Sequence, residues 1–292
     1  MSALATRRET TRPEPSVSDE DFAKFRDFFY RKTGIMFADN KRYFVDKRLQ
    51  ERMQESGEAE FRAYFNTLRF QASGAEFQAL VNVMTVNETY FYREEYQFRC
   101  LVRSILPEIV RGKRPGDTVR IWSVPCSTGE EPYSIAFQLL DHWAEVDRYD
   151  VEIVATDIDT TVLDQARAGF YGERSVQHVP KATLERFTRR TRGGYEVIAD
   201  IRDSIAFGRV NLSDPLSTRA YRGFDVVFCR NLLIYFDDAS RQEAARTIYE
   251  ALDPGGFVCL GHSESMSRIS SLFAIRKFPE AIVYQKPLSA EA

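Results

Sequence analysis

Long apolar runs are absent from this chain of 292 residues, and no segment approaches the roughly 18 consecutive apolar residues of a membrane-spanning helix. The first twenty residues, MSALATRRETTRPEPSVSDE, carry charges but no apolar stretch behind them, which is not the pattern of a secretory signal peptide. We therefore expect no membrane insertion and a cytoplasmic location.

Cysteine is scarce, and positive charge is not in excess. The four cysteines form no CxxC pair, which argues against a zinc site or a disulfide framework, so we expect no metal. The chain has a net charge of −3, whereas most nucleic-acid-binding proteins have an excess of basic residues, so we expect no nucleic-acid partner. A hydrophobic content of 43% is sufficient for a sizeable globular core.

Helical patterns fill the first part of the chain after a polar tail at residues 1–17. The segment SDEDFAKFRDFFYRKTG begins with a polar cap and acidic residues, places four phenylalanines on one face and ends at Gly34. Further helical patterns follow in KRYFVDKRLQERMQES, EAEFRAYFNTLRF and GAEFQALVNVMTV. The sequence therefore predicts an all-helical N-terminal domain over residues 18–88.

Beyond Pro115 the pattern changes to alternating strands and helices, as in TVRIWSV, EPYSIAFQLLDHW, DVEIVATD and DTTVLDQARAG. Such alternation predicts an α/β domain with a parallel, Rossmann-like sheet covered by helices on both faces. The segments LFAIRKF and AIVYQK predict an antiparallel hairpin at its end. We expect this domain over residues 89–286, with a small antiparallel β-insert at about 173–208 containing GGYEVIADIRDSIAF, and a tail at 287–292.

The loop CSTGEE, at the end of the first strand, occupies the place where doubly wound sheets bind ligands. It has one glycine where phosphate-binding loops have several, and Glu130 and Glu131 would repel a pyrophosphate. A ligand with an ammonium or sulfonium group, such as S-adenosylmethionine, suits this charge. Asp157 ends the second strand and can accept hydrogen bonds from ribose hydroxyls. The alternative is that both glutamates complement the helix dipole and Asp157 caps the next helix.

Several motifs together resemble the CheR-type chemotaxis receptor methyltransferases: NETYFYR (87–93), CSTGEEPYSIA (126–136), ATDIDTTVLDQARAGFY (155–171), FDVVFCRNLLIYFD (224–237) and GHSES (261–265). This resemblance implies a class I methyltransferase domain that transfers a methyl group from S-adenosylmethionine, leaving S-adenosylhomocysteine. The expected acceptors are glutamate side chains on cytoplasmic helices of methyl-accepting chemotaxis receptors, where methyl esters produce sensory adaptation.

The resemblance also implies the residues of the site. The expected cofactor contacts are Asn87, Thr89, Arg93, Glu131, Asp157, Asn211, Leu212, Arg230 and Asn231. We expect Arg93 to hold the substrate carboxylate and Tyr235 to fix its attacking geometry. No general base is needed, because a glutamate with a reference pKa near 4.3 is ionised at neutral pH. The three histidines are expected to be structural: His142, His178 and His262.

A basic cluster in KRYFVDKRLQER is a candidate docking surface for acidic receptor helices, although most such runs are simply solvated. Its members are Lys41, Arg42, Lys47, Arg48 and Arg52. In some members of the family that this sequence resembles, such an insert binds a C-terminal receptor pentapeptide; the turn TRRTRGGYE is about three residues shorter than theirs, which places that tether in doubt. We expect a monomer. The alternatives are a non-catalytic adaptor that binds S-adenosylmethionine, or a methyltransferase acting on another protein, a small molecule or RNA.

Overall fold

The computed structural model describes residues 17–288, and the expected tails at 1–17 and 287–292 lie almost entirely outside this range. The described chain forms two compact units, one made of residues 17–28 and 37–84 and the other of residues 29–36 and 85–288. This division differs from the expected domains at 18–88 and 89–286, because residues 29–36 and 85–88 belong to the second unit.

The first unit is helical, as predicted. Helix α1 (Asp19–Thr33) begins in it, followed by α2 (Arg42–Ser56), α3 (Phe61–Phe70) and α4 (Ala75–Met84). The Ser18 hydroxyl accepts a hydrogen bond from the Asp21 N–H at 3.1 Å, which caps α1. Fully buried apolar residues on successive helices form its core, among them Phe25, Leu49, Tyr64 and Leu80.

The second unit is built on a seven-stranded sheet. Its strands are β1 (Thr118–Ser123), β2 (Asp150–Asp157), β6 (Ile205–Arg209), β7 (Phe224–Cys229), β8 (Leu252–Leu260), β9 (Ala274–Lys277) and β10 (Ile282–Gln285). They lie in the order β6-β2-β1-β7-β8-β10-β9. The first five are parallel, and β10 pairs antiparallel with both β8 and β9, which confirms the predicted hairpin.

Helices cover both faces of this sheet. They include α5 (Tyr96–Cys100), α6 (Leu106–Val110), α7 (Glu130–His142), α8 (Thr160–Ala168), α12 (Pro215–Thr218) and α13 (Asp238–Ala251). Alternate residues of β1 enter different cores, because successive side chains of a strand point to opposite faces. Val119 and Ile121 pack with residues of α5, α6 and α7, whereas Trp122 packs with residues of α13. The α/β class is therefore as predicted.

A three-stranded antiparallel sheet, β3-β5-β4, accompanies the main sheet: β3 (Phe170–Tyr171), β4 (Thr188–Thr191) and β5 (Gly194–Val197). Three short helices belong to the same region: α9 (Glu173–Val176), α10 (Lys181–Phe187) and α11 (Ala199–Asp203). The insert expected at about 173–208 differs at both ends. The small sheet starts earlier, at Phe170, and Ile205 pairs with Ile153 in the main sheet.

Candidate active site

The site lies at the carboxyl edge of the main sheet, where parallel strands β1, β2, β7 and β8 end together. The loop after β1 turns sharply, with Ser127 at φ +47° and Gly129 at φ +96°. A Cβ atom at Gly129 would lie 2.8 Å from the Tyr171 hydroxyl and 2.9 Å from the Ala166 Cβ. Glycine is therefore required where the loop enters α7.

Arg230 follows β7 directly, and its side chain is only 3% exposed. Its Nη1 donates to Glu131 Oε2 at 2.9 Å, and its Nη2 lies 3.3 Å from Glu94 Oε2 and donates to the Arg93 carbonyl. The guanidinium carbon also lies 5.4 Å from the centroid of the Phe98 ring. Burial opposes the charged form, but the two carboxylates outweigh it and raise the pKa of Arg230.

The two carboxylates differ in their other partners. Glu131 also accepts a hydrogen bond from the Ser123 hydroxyl at 2.8 Å, and burial raises its pKa. Burial also opposes ionisation of Glu94, but Arg230 and contacts with His262 dominate and lower its pKa. The His262 Nδ1 lies 2.8 Å from Glu94 Oε1. One guanidinium thus serves two carboxylates, so the trio of Glu94, Glu131 and Arg230 carries a net charge of −1 when ionised.

Glu130 is buried rather than part of an acidic rim. It is 4% exposed, and its carboxylate accepts hydrogen bonds from the Thr128 hydroxyl at 2.6 Å and the Ser175 hydroxyl at 2.8 Å. Burial raises its pKa. Of the two adjacent glutamates, Glu131 is therefore the one that belongs to the charged network of the site.

Asp157 ends β2 and supports the loop rather than the next helix. Its carboxylate accepts the Ser127 N–H at 2.8 Å and the Asp159 N–H at 3.0 Å, and burial raises its pKa to about 6. Helix α8 is capped instead by Asp159, which accepts the N–H groups of Thr161 and Val162 at 2.8 and 3.2 Å. The alternative of Asp157 as the helix cap is therefore wrong.

Asn87 is tied to the same strand end. Its Nδ2 donates to Asp159 Oδ2 at 2.9 Å, and the Thr85 hydroxyl donates to the same oxygen at 2.7 Å. Thr89 is half-buried nearby in sequence. Arg93 donates from Nη1 to the Glu88 carbonyl at 2.5 Å. The segment 85–93 thus reaches the ends of β2 and, through the Arg93 carbonyl, of β7.

Tyr235 lies in a 3₁₀ turn, Leu233–Tyr235, and is 37% exposed. Burial raises the pKa of its hydroxyl, and the nearby Arg93 guanidinium partly opposes that effect. The hydroxyl therefore stays protonated at neutral pH and can donate a hydrogen bond. Arg93 therefore acts electrostatically on the Tyr235 hydroxyl, although the two residues are far apart in sequence.

Asn211 and Leu212 follow β6, and both atoms of the Asn211 amide already have a protein partner. The Asn211 Nδ2 donates to the Lys32 carbonyl at 2.6 Å, and its Oδ1 accepts the Ser213 N–H at 3.1 Å. Leu212 is 5% exposed and packs in the core that contains Trp122. Their expected contacts with the cofactor remain predictions.

The basic cluster of α2 is largely engaged within the helical unit. Arg42 pairs with Asp46 at 2.7 Å, Arg48 pairs with Glu51 at 2.8 Å, and Arg52 pairs with Glu76 at 2.7 Å. Across residues 17–288, Lys41 and Lys47 form no ion pair. The two lysines are thus the members of the cluster whose charges are uncommitted.

Sequence reasoning assigned no role to Glu94 and Glu264. Glu94 follows the motif NETYFYR and adopts φ +59°, and Glu264 lies in GHSES and accepts backbone N–H groups of the segment after β7. The only sequence feature that could have identified these two residues is their position inside or beside the quoted motifs. The contacts of Glu94 with Arg230 and of Glu264 with Asn231 could not be predicted from spacing, because each joins segments that are distant in the sequence.

Within residues 17–288, no group of three or more His, Cys, Asp or Glu side chains could hold a metal ion. In the same range, none of the helices combines the length and the apolarity that crossing a membrane would demand. His178 packs its ring 5.2 Å from that of Tyr90.

Comparison with known proteins gives two matches that cover most of the chain. Residues 20–85 match the family model described as CheR methyltransferase, all-alpha domain, and residues 87–282 match the CheR methyltransferase, SAM binding domain. The chemotaxis protein methyltransferase 2 of Vibrio cholerae is 52% identical over 272 residues, covering 93% of this chain and 94% of that protein. The chemotaxis protein methyltransferases of Escherichia coli and Salmonella typhimurium are 35% and 36% identical, with 89% of this chain covered and 90% and 89% of theirs.

The site residues fit S-adenosylmethionine. Six buried polar side-chain atoms have no partner within residues 17–288, and two of them, Arg230 Nε and Ser127 Oγ, belong to residues bonded to Glu131 and Asp157 respectively. A ligand with a carboxylate, a cation and ribose hydroxyls has the groups to satisfy such a set. The resemblance, the cofactor and the enzyme class predicted from the sequence are thereby confirmed. With both of its units matched in order and a relative that is 52% identical along nearly its whole length, this chain belongs to the CheR methyltransferase family.

Proposed function

We propose that this S-adenosylmethionine-dependent enzyme methylates glutamate side chains on the cytoplasmic part of chemotaxis receptors, forming methyl esters that reset the receptor's signalling. The names of the relatives support the pathway. The observation that carries the chemistry is the electrostatic effect of the Arg93 guanidinium on the partly exposed Tyr235 hydroxyl, whose pKa it lowers against the effect of burial. A cytoplasmic location and a monomeric state are part of the proposal.

The cofactor is held by the residues at the strand ends, and when bound it supplies a methyl group activated by the sulfonium charge. Asp157 uses each carboxylate oxygen for one backbone N–H, which leaves acceptor capacity on both for the ribose hydroxyls. Arg230 keeps its Nε–H for a carboxylate. The other proposed contacts are Asn87, Thr89, Arg93, Glu131, Asn211, Leu212 and Asn231.

The acceptor needs alignment more than activation. A glutamate with a pKa near 4.3 is ionised at neutral pH, so no residue has to remove a proton. One of its oxygens must lie about 3–3.5 Å from the methyl carbon, in line with the bond that breaks. We assign Arg93 to hold the carboxylate by a charge-assisted hydrogen bond, and Tyr235 to donate a second. Both engage chiefly the oxygen that does not attack, because a hydrogen bond to the attacking oxygen would reduce its nucleophilicity.

The cluster on α2 is proposed to contact the acidic receptor helix. Lys41 and Lys47 carry the uncommitted charge, whereas the arginines of the cluster are paired with carboxylates of their own unit. Docking through the two lysines would weaken as salt is added. The pentapeptide tether stays in doubt because of the short turn TRRTRGGYE, and the proposed recognition rests on the methylated helix itself.

The test uses the full chain, methyl-labelled cofactor and membranes that contain a chemotaxis receptor. We expect label in the receptor that is released by mild base, as a carboxyl methyl ester requires. Cofactor binding without transfer, or base-stable label in another molecule, would contradict the proposal.

The variant Arg93→Ala tests the mechanism in the same assay. We expect kcat to fall about a hundredfold, because misplacing a reacting group by an ångström can have that effect. The cofactor dissociation constant, measured by calorimetry, should change much less than kcat. Equal turnover in variant and wild type would remove Arg93 from the mechanism.

A further inference from the structure

Glu264 makes an unusual set of contacts for a residue in a turn. Its Oε2 accepts the N–H groups of Asn231 and Gly261, both at 2.8 Å, and its Oε1 accepts the N–H of Leu233 at 2.7 Å. One carboxylate from the turn after β8 therefore binds three backbone donors, two of them in the segment after β7. Hydrogen bonds from N–H groups to a charged acceptor are stronger than those to a neutral one.

The backbone that donates these bonds is left-handed at one residue. Asn231 adopts φ +58°, a conformation that asparagine tolerates better than most non-glycine residues. The carboxylate of Glu264 binds the N–H of Asn231 itself and that of Leu233, so it holds the chain on both sides of Leu232.

Gly261 makes the close approach possible. A Cβ atom there would lie 2.7 Å from Asn231 Nδ2 and 2.9 Å from Glu264 Oε2, and 3.1 Å from the Asn231 nitrogen. Any larger residue would have to displace either the carboxylate or Asn231. The glycine and the glutamate of the motif GHSES thus serve the same contact.

The same turn also reaches the other side of Arg230. The His262 Nδ1 lies 2.8 Å from Glu94 Oε1, and Glu94 in turn pairs with Arg230 at 3.3 Å. The turn 261–264 therefore contacts Glu94, which pairs with Arg230, as well as Asn231, which follows Arg230 in the chain. Contacts from the turn after β8 thus hold the segment that runs from Arg230 to Tyr235.

We infer that Glu264 is a positioning residue for methyl transfer, whose carboxylate fixes the backbone from Asn231 to Leu233 and thereby places Asn231 and the hydroxyl of Tyr235. This inference rests on the proposed function, since it concerns how the acceptor is aligned. Glu264 itself accepts only backbone donors, so it acts through its neighbours and not on the substrate.

The variant Glu264→Gln tests this with little change of shape. Its amide nitrogen cannot accept a hydrogen bond, so at least one of the three backbone donors loses its partner. We expect kcat to fall about tenfold to a hundredfold, because alignment is impaired more than binding. The KM for the receptor should stay within about threefold, and the cofactor dissociation constant should rise by much less than kcat falls, because only one proposed cofactor contact, Asn231, is displaced while Arg230 keeps both of its carboxylates.

A second measurement tests the hydrogen bonds between Glu264 and the backbone without any turnover. Amide hydrogen exchange of Asn231 and Leu233 should accelerate in Glu264→Gln, whether or not the receptor is the true acceptor. If wild-type protein transfers no label to receptors, the proposed function fails while the exchange result still tests these hydrogen bonds. Unchanged exchange at both amides would overturn the inference.

Two further variants separate positioning from general stability. Asp117→Asn is the control, because Asp117 accepts the Arg114 N–H at 2.6 Å before β1, at the other end of that strand, and its kcat should match the wild type within about twofold. Gly261→Ala should show the same selective loss of kcat as Glu264→Gln and replaces it if that variant does not fold. A wild-type kcat in Glu264→Gln or in Gly261→Ala, or a loss fully explained by fewer cofactor-binding molecules, would overturn the inference.

Discussion

Two arginines, one in each unit, are buried against carboxylates in different ways. Arg52 meets Glu76 through two parallel hydrogen bonds, Nε to Oε1 at 3.0 Å and Nη2 to Oε2 at 2.7 Å, and Tyr64 adds a third bond to the same carboxylate at 2.9 Å. Arg230 instead divides its donors between Glu131, Glu94 and the Arg93 carbonyl, and within residues 17–288 its Nε has no partner.

The difference separates a network that stabilises a fold from one that is prepared for a ligand. All three guanidinium nitrogens of Arg52 donate to carboxylates, Nε and Nη2 to Glu76 and Nη1 to Glu55. Arg230 likewise faces two carboxylates, but its Nε has no partner within residues 17–288. A buried group with an unmet bond carries a free-energy cost, and a ligand that supplies the bond recovers it.

The largest effect is expected when Arg230 is removed. Arg230→Met leaves Glu94 and Glu131 without their cation, and breaking a buried pair in this way costs about 3–5 kcal/mol. We expect a loss of that size in urea unfolding, together with no measurable methyl transfer. Arg230→Lys should recover part of the stability, but a single ammonium cannot serve two carboxylates and a carbonyl. A variant with wild-type cofactor affinity would contradict the ligand-directed role of this network.

The matching change in the helical unit is Glu76→Gln. We expect a loss of about 2–3 kcal/mol in the unfolding of that unit, somewhat below a full pair because Arg52 also contacts Glu55. The cofactor dissociation constant should stay within about twofold of the wild type, since none of its proposed contacts lies in residues 37–84. A large change in cofactor affinity would show that the two networks do not have separate roles.

A smaller effect on stability is expected from a change of pH, because it changes the ionisation of Asp157, a carboxylate that pairs with no cation. Burial raises the pKa of Asp157 to about 6, so the folded protein holds a proton there that the unfolded chain releases near pH 4. The sign follows: the stability contributed by this group is greatest below about pH 4, and it is lost as the pH rises to 6.

Cofactor binding should show the opposite trend, because the ribose hydroxyls need the ionised acceptor. Calorimetry at fixed salt should give a dissociation constant about tenfold weaker at pH 5 than at pH 7. Asp157→Asn should bind more weakly overall and lose most of this dependence. If it keeps the full pH dependence, the titration belongs to another buried acid, Glu130 or Glu131, whose pKa burial also raises.

Local pattern was enough to predict the elements that position the site. Patterns of residues close together in the sequence predict the helix cap at Ser18, the helix end at Gly34, the alternation of strands and helices after Pro115 and the final hairpin. The partnership of Glu131 with Arg230 was not predictable from either motif alone. The two residues were named separately, and the fold joins them across nearly a hundred positions.

The rest depends on backbone conformations without a sequence signature. Tyr92, Glu94, Ser127 and Asn231 all have positive φ, which in non-glycine residues is set by tertiary contacts and not by local preference. That is why Glu94 was not connected with Arg230, nor Glu264 with Asn231. The burial of Glu130 was missed for a related reason, since its partner Ser175 lies in the insert.

The second unit is discontinuous along the chain, and this has a practical consequence for dissecting the protein. The Tyr30 hydroxyl donates to Asp237 at 2.9 Å, Asn211 donates to the Lys32 carbonyl, and the Met36 N–H donates to the Tyr235 carbonyl at 3.1 Å. A fragment cut where the matching cofactor-binding family segment begins, at residue 87, would lack all three of these contributors. Tyr235 would lose a main-chain hydrogen bond, so poor activity in such a truncated enzyme would reflect the loss of part of the second unit. It would not be evidence for the proposed receptor docking by the helices at 37–84.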